Sequence, residues 1–314
     1  MEPIAVGQRR AGPGVKRARL TYGRQVAQTG LLMIAPVVLL IAVFTLYPFA
    51  YAFYTSTQLS IPMLPPKFVG FDNYVEVFTS PYFGDAVRVT ITFAGLATPL
   101  LVVLSLLSSL LLNEPFRGNT LMRAGMLLPW AIPASATGVI WKWLFLDSWG
   151  AINAIMFSAG IIQKYISWLT SPELAVGIVV LAFAWAQLPL ATILLLAALQ
   201  SVPDDLYEAA AIDGAGVLGR FRYVTFPEIA TTLLIVTLYE LLMGLTNFDV
   251  PFSLTRGGPG TATTVVSYFT WSESFKMANS GHGTALAIMI ALTALAFIFA
   301  ILRLLPKGVL GGPR

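Results

Sequence analysis

Four polar side chains interrupt long apolar stretches of this sequence: Gln187, Glu240, Asn247 and Asp249. Amides and carboxyls are costly in hydrocarbon, so each is a candidate for a solute or ion pathway; Glu240 can equally pair or hydrogen-bond inside a helix bundle. Trp130 lies in another apolar stretch. Covalent chemistry is poorly provided for. There is no cysteine and a single histidine, His282, which removes thiolate nucleophiles, disulfides and thiolate metal sites and leaves too few ligands for an ordinary zinc centre. Serines are plentiful, but nothing arranges a nucleophile, base and orienting acid. No GxxxxGK[ST] run occurs, so the backbone cradle and lysine that hold ATP phosphates are missing from this polypeptide.

The elements that must carry these residues follow from composition. The 314 residues are 57% hydrophobic and 11% charged, with a mean hydropathy of +0.77, where soluble domains are about 25% charged. The chain therefore belongs in a bilayer. About 20 apolar residues are needed to cross it as a helix. Six stretches qualify, near 30–55, 86–112, 121–146, 173–199, 229–250 and 283–305. Prolines 36, 48, 99, 129, 133 and 189 lie in or beside them, which membrane helices tolerate. The expected organisation is a basic, disordered tail over 1–28, a six-span domain over 29–306 and a short tail over 307–314. The first apolar run is too long for a signal peptide and is expected to remain as an anchor.

With the N-terminus in the cytoplasm, the inner segments hold Arg9, Arg10, Lys16, Arg17, Arg19, Arg24, Arg117, Arg123, Arg220, Arg222, Arg303, Lys307 and Arg314, thirteen of the nineteen basic residues. The outer side holds Lys67, Arg88, Lys142, Lys164, Arg256 and Lys276. The positive-inside rule thus places both termini in the cytoplasm, which accounts for the net charge of +4 without nucleic acid. Lys142 between Trp141 and Trp143 reads as a snorkelling lysine in an aromatic belt.

Residues 201–228 break the apolar pattern with Asp204, Asp205, Glu208, Asp213, Arg220, Arg222 and Glu228. Ser201 as N-cap, Pro203 in the first turn and Asp204 start a helix. Gly214 and Gly216 permit a turn, and Val217 to Phe226 form a second short helix ending before Pro227. A helical hairpin outside the membrane is expected, either a solvated loop or a docking element. Ala209, Ala210, Ala211 and Ala215 give it a face without bulk, which suits a protein groove.

The run Glu208-Ala209-Ala210, Asp213-Gly214-Ala215, Phe221, Val224 and Phe226-Pro227 resembles the EAA signature of binding-protein-dependent ABC importer permeases. Pro203 to Ala209, Phe68 to Tyr74, Leu128 to Pro133 and Leu254 to Gly260 resemble in particular the larger permease subunit of the maltose importer and its carbohydrate relatives. Two positions depart from the motif: Phe226 replaces a leucine and Thr231 a second proline. The resemblance implies an all-α integral membrane fold of six transmembrane helices, of the type I ABC importer permease kind, with a cytoplasmic helical-hairpin coupling loop at 201–228. It also implies residence in the bacterial inner membrane and no catalysis by this chain. ATP and Mg would be bound by two separate ATP-binding cassette subunits, docking at Glu208, Ala209, Ala210, Asp213, Gly214, Ala215 and Phe221. A second, different permease and an extracytoplasmic solute-binding protein would complete the importer.

Positions that line the maltose site in the resembled family fall on Trp130, Ala134, Phe183, Ala186, Gln187, Met243 and Asn247. The substrate path is accordingly expected at Trp130, Phe183, Gln187, Met243 and Asn247. Ala134 and Phe183 stand where that site is polar, which argues against maltose itself, and no Lys or Arg lies mid-span, which favours a neutral sugar-like solute. The alternatives are a stand-alone secondary transporter, which should show an internal repeat and ion-coupling carboxylates, and a membrane-embedded enzyme; neither signature is evident.

Overall fold

The computed structural model describes residues 13–304, with side chains from 27 to 300 and at 303. The chain divides into two units, Met1–Tyr54 and Thr55–Arg314. In the first, α1 (Pro13–Ile41) passes through a π-turn at Ala42–Leu46 into α2 (Tyr47–Ser56). Residues 13–28, expected as disordered tail, are therefore helical: Pro13 opens the helix, and the apolar run behind it has already met the cost of nucleation. Residues 1–12 and the tail at 307–314 lie outside the described residues.

In the second unit a short ribbon pairs β1 (Gln58–Leu59) with β2 (Lys67–Phe68), antiparallel, and leads to α3 (Asp72–Thr79). Then come α4 (Pro81–Asn113), α5 (Asn119–Met126), α6 (Leu128–Ala131), α7 (Ala134–Leu144), α8 (Ala151–Ser158) and α9 (Pro172–Gln200). The hairpin follows as α10 (Asp204–Ile212) and α11 (Val217–Arg220), continuing through a π-turn at Phe221–Thr225 into α12 (Phe226–Thr246). The chain ends in α13 (Asp249–Leu254), α14 (Val266–Trp271), a π-turn at Ser272–Lys276 and α15 (Ser280–Leu304).

Among the described residues, five helices are long and apolar enough to cross a bilayer: Ala27–Ser56, Pro81–Asn113, Pro172–Gln200, Val217–Thr246 and Ser280–Ala300. The sixth expected span is not one helix. Asn119–Ala131 and Ala134–Leu144 meet at 98°, because Ile132 and Pro133 are extended (ψ 128° and 137°) and the proline ring disfavours a helical residue before it.

Pro227, by contrast, does not break its helix. At Phe221–Thr225 the ladder widens so that the Phe226 N–H donates to the carbonyl of Phe221, and Pro227, which has no N–H, follows immediately. Pro48 stands in the same position after the π-turn at Ala42–Leu46, where the Tyr47 N–H donates to Ala42. A single wide turn absorbs the lost hydrogen bond and lets the helix run on. The short helix expected over 217–226 is in fact the first part of span five.

Spans two, four and five pack through small residues, since lipid tails offer no hydrophobic drive and close backbone approach is what brings helices together. The buried stripe of α4 runs Ala94, Ala97, Thr98, Leu101, Ser105, Ser109, and that of α9 includes Ala175, Val179, Ala182 and Ala186. Gly244 of α12 sits against Ala94. Outside the bundle, buried Asn153 on α8 organises the segment before α9: its amide donates to the carbonyls of Asp147 and Ile166, and its carbonyl accepts from the Ile166 N–H and the Trp168 indole.

A close crossing joins α7 to α13. A methyl group at Gly138 would overlap the Ser253 hydroxyl and lie 2.9 Å from its Cβ. Gly138→Ala is expected to destabilise the protein by about 1–3 kcal/mol, and Ser253→Gly in the same chain to recover most of the loss; thermal unfolding of the detergent-purified protein measures both.

Candidate functional site

The hairpin is built by local chemistry. Pro203, extended, takes the N-cap position with no side-chain cap, and Asp204 and Asp205 face the positive end of the α10 dipole. Ser201 is not the N-cap that the sequence suggests. It closes α9, its hydroxyl donating to the Ala198 carbonyl at 2.7 Å. At the far end the Gly214 N–H donates to Ala211 and the Ala215 N–H to Ala210, with Gly214 left-handed at φ +81°. This is a Schellman cap, and its αL residue is a glycine because any side chain there is strained.

One face of the hairpin seats it on the bundle. Tyr207 and Ala210 pack on buried Leu199, Val202, Val224 and Ile229, and the Tyr207 hydroxyl meets the Thr225 hydroxyl at 3.1 Å. The other face is open. Of the expected docking residues, Glu208, Ala209, Asp213 and Gly214 are exposed, whereas Ala210, Ala215 and Phe221 are half-buried, the last with its ring 6.2 Å from that of Phe226. The structure adds three residues that sequence reading missed: Ile212, Val217 and Leu218 are 87, 81 and 79% exposed around the turn. Bulky apolar side chains flanking Gly214-Ala215-Gly216 were the available signal, since a solvated turn is polar there. A tip of three exposed aliphatics beside carboxylates is a contact surface rather than a solvated cap.

Two of the expected path residues stand at helix breaks. Trp130, mostly exposed, stands on α6 just before the bend of span three. Asn247 stands at the end of α12, where extended backbone (ψ 127°) stops span five. Gly138 and Ser253 touch five residues beyond Pro133 and Phe248 respectively. The helices that follow the two breaks are thus packed against each other. Non-helical backbone at this depth is tolerated where it faces protein or a polar cavity, and broken helices are a common place for solute sites in transporters.

Glu240, Met243 and Asn247 follow at i, i+3 and i+7 on one face of α12. Met243 and Asn247 reach the surface, while Glu240 is wholly buried among α4, α9 and α12. Gln187 of α9 lies beside Glu240, yet neither carboxyl oxygen is in hydrogen-bonding geometry. The Asn247 Oδ1 is likewise shielded and unpartnered, as are the hydroxyls of Thr98 and Thr192. Phe183, expected on the path, reaches no open surface here: it is 2% exposed and packs edge-on against Phe93 at 5.4 Å, because α4 and α9 close over it. Ala134 is half-buried, Ala186 buried and Asp249 exposed.

An unpaired carboxyl enclosed by three helices stabilises nothing and is costly. Glu240→Gln, which keeps the shape and removes the ionisable group, is expected to leave the unfolding midpoint unchanged or higher; a loss equivalent to more than about 2 kcal/mol would show that the carboxyl makes a needed bond.

Residues 79–307 match the family described as "Binding-protein-dependent transport system inner membrane component". A trehalose/maltose transport system permease of Thermococcus litoralis is 34% identical, over 88% of this chain and 93% of that protein. A sulfoquinovosyl glycerol transport system permease of Agrobacterium fabrum is 32% identical, over 87% of this chain and 89% of that protein. The fold matches a chain of a bacterial ABC transporter involved in the import of the acidic polysaccharide alginate, with a TM-score of 0.77 and 24% identity, over 90% of this chain and 96% of that one. The chain therefore belongs to the inner-membrane permeases of binding-protein-dependent transport, with the type I ABC importer fold, and is a permease subunit of such an importer.

Proposed function

We propose that this permease forms half of the path for a neutral sugar or sugar-like solute and that its 201–228 hairpin, on the cytoplasmic side, docks the ATPase subunits that drive transport. The observation that carries the reading is the hairpin tip, where Ile212, Val217 and Leu218 stand exposed beside Glu208, Ala209 and Asp213 on an element firmly seated through Tyr207 and Ala210. ATP and Mg belong to the docked subunits, since the phosphate-binding run is absent from this sequence. A second, different permease supplies the other half of the path, and an extracytoplasmic protein delivers the solute. Both termini lie in the cytoplasm on the distribution of Lys and Arg.

On the solute side, Trp130 offers a ring face and Asn247 an unpartnered carbonyl at the two helix breaks, with Met243 one turn before Asn247 on α12 and Gln187 beside Glu240. The saccharide-bearing solutes named for the relatives above support a sugar-like cargo. Transport by rocking of rigid elements would open and close the region around Glu240 and Phe183, which are sealed in this conformation.

The test is assembly with the products of neighbouring genes. Glu208→Lys is expected to lose the copurifying ATPase subunit or its solute-stimulated hydrolysis, while Asn247→Ala keeps the subunit and loses stimulation by the sugar several-fold. Unchanged assembly and hydrolysis in Glu208→Lys, with the protein folded and inserted, would return the hairpin to a plain connector.

A further inference from the structure

The short helix α3, between the first span and α4, is amphipathic in an unusual sense. Its inner face carries buried Asn73 and Val77. The Asn73 amide donates to the carbonyls of Ser56 and Gln58 at 2.8 and 2.9 Å, and the Ser56 hydroxyl meets that of Tyr74 at 2.6 Å. Its opposite face is apolar and open: Phe71, Val75 and Phe78 are 60 to 69% exposed. At about 100° per residue these three fall within roughly 60° of arc, while Asp72, Glu76 and Thr79 form a polar shoulder between the two faces.

The roll of the helix is fixed by its neighbours. Gly281 of α15 lies so close to the Gln58 carbonyl and to Asn73 that a side chain there would overlap them. The His282 imidazole bridges Glu76 at 3.0 Å through Nε2 and Glu273 at 3.3 Å through Nδ1, tying α3 and the Ser272–Lys276 turn to the first turn of span six. With the polar shoulder held there, Phe71, Val75 and Phe78 can only face away from the bundle.

Depth decides what they face. Val75 and Phe78 share a shallow apolar groove with Met289. Met289 is nine residues into α15, whose apolar span begins at Ser280, or about 13 Å along its axis at 1.5 Å per residue. The stripe is thus level with the first half of span six, which is its outer half with both termini in the cytoplasm as proposed above, rather than beyond its end.

We propose that α3 is an interfacial helix of the outer leaflet, with Phe71, Val75 and Phe78 immersed among lipid chains, Asp72, Glu76 and Thr79 at the water, and Asn73 and Val77 clasping the end of span six. Interfacial helices commonly carry Lys and Arg toward anionic headgroups. The segment Asp72–Thr79 has two acids and no base, so it suits neutral or zwitterionic lipid. The helix then acts as an outrigger: its lipid contact sets the level of the His282 bridge and the outer end of span six.

The absence of native cysteine makes the test direct. The full chain carrying Val75→Cys, Phe78→Cys or Asp72→Cys is labelled with an environment-sensitive fluorophore and reconstituted into phosphatidylcholine vesicles. Quenching by lipid spin-labelled near the headgroup is compared with quenching by aqueous iodide. At positions 75 and 78 the lipid quencher is expected to act several-fold more strongly than iodide, and at 72 the order reverses. Equal or greater iodide quenching at 75 and 78 overturns the assignment. So does loss of lipid quenching there when the companion subunits are added, which would make the stripe a protein interface.

Discussion

Span five is a single hydrogen-bonded rod from the hairpin to the break at Asn247. Peptide groups in hydrocarbon must find partners within their own segment, and the widened turn at Phe221–Thr225 lets the ladder pass Pro227 without leaving one stranded. From Val217 to Thr246 the helix covers thirty residues, about 45 Å at 1.5 Å per residue. Whatever displaces the hairpin must displace the face bearing Glu240, Met243 and Asn247 with it. The seat made by Tyr207, Ala210, Val224 and Thr225 clamps the second arm of the lever, α10, to the same rod.

Where the rod ends, a second constraint takes over. Spans three and five are both interrupted at extended residues, and Gly138 against Ser253 packs together the helices that follow the two interruptions. Small residues do the same work along α4 and α9, so the bundle holds by close backbone approach while polar atoms of Thr98, Thr192, Glu240 and Asn247 remain without partners. Unsatisfied groups concentrated in one three-helix region are the opposite of what stability alone would select. They fit a protein whose central helices exchange partners between two arrangements.

Much of this was legible in the sequence. Hydropathy located the spans because a bilayer imposes length, and the hairpin was evident because charges cluster only where water or a partner protein meets the chain. Composition also placed Trp130, Gln187 and Asn247 in spans, since their polarity or size stands out there. The misses share a cause, which is that proline has two outcomes. Ile132-Pro133 turns the chain through 98°, whereas Pro48 and Pro227 are carried by π-turns, and the difference lies in whether the preceding ladder can widen, which no local composition reports. The burial of Phe183 was not legible for a related reason: a face is defined by the neighbouring helix, not by its own period.

If the lever is the coupling device, its stiffness matters more than its surface. Three glycines inserted after Arg222 would leave the exposed tip and the spans intact while interrupting the rod at the π-turn. Measured in the assembled importer, hydrolysis should then persist at its basal rate with the ATPase subunit still bound, and no longer respond to solute-loaded binding protein. Full stimulation in that variant would show that the hairpin and the path are linked by some route other than the helix joining them.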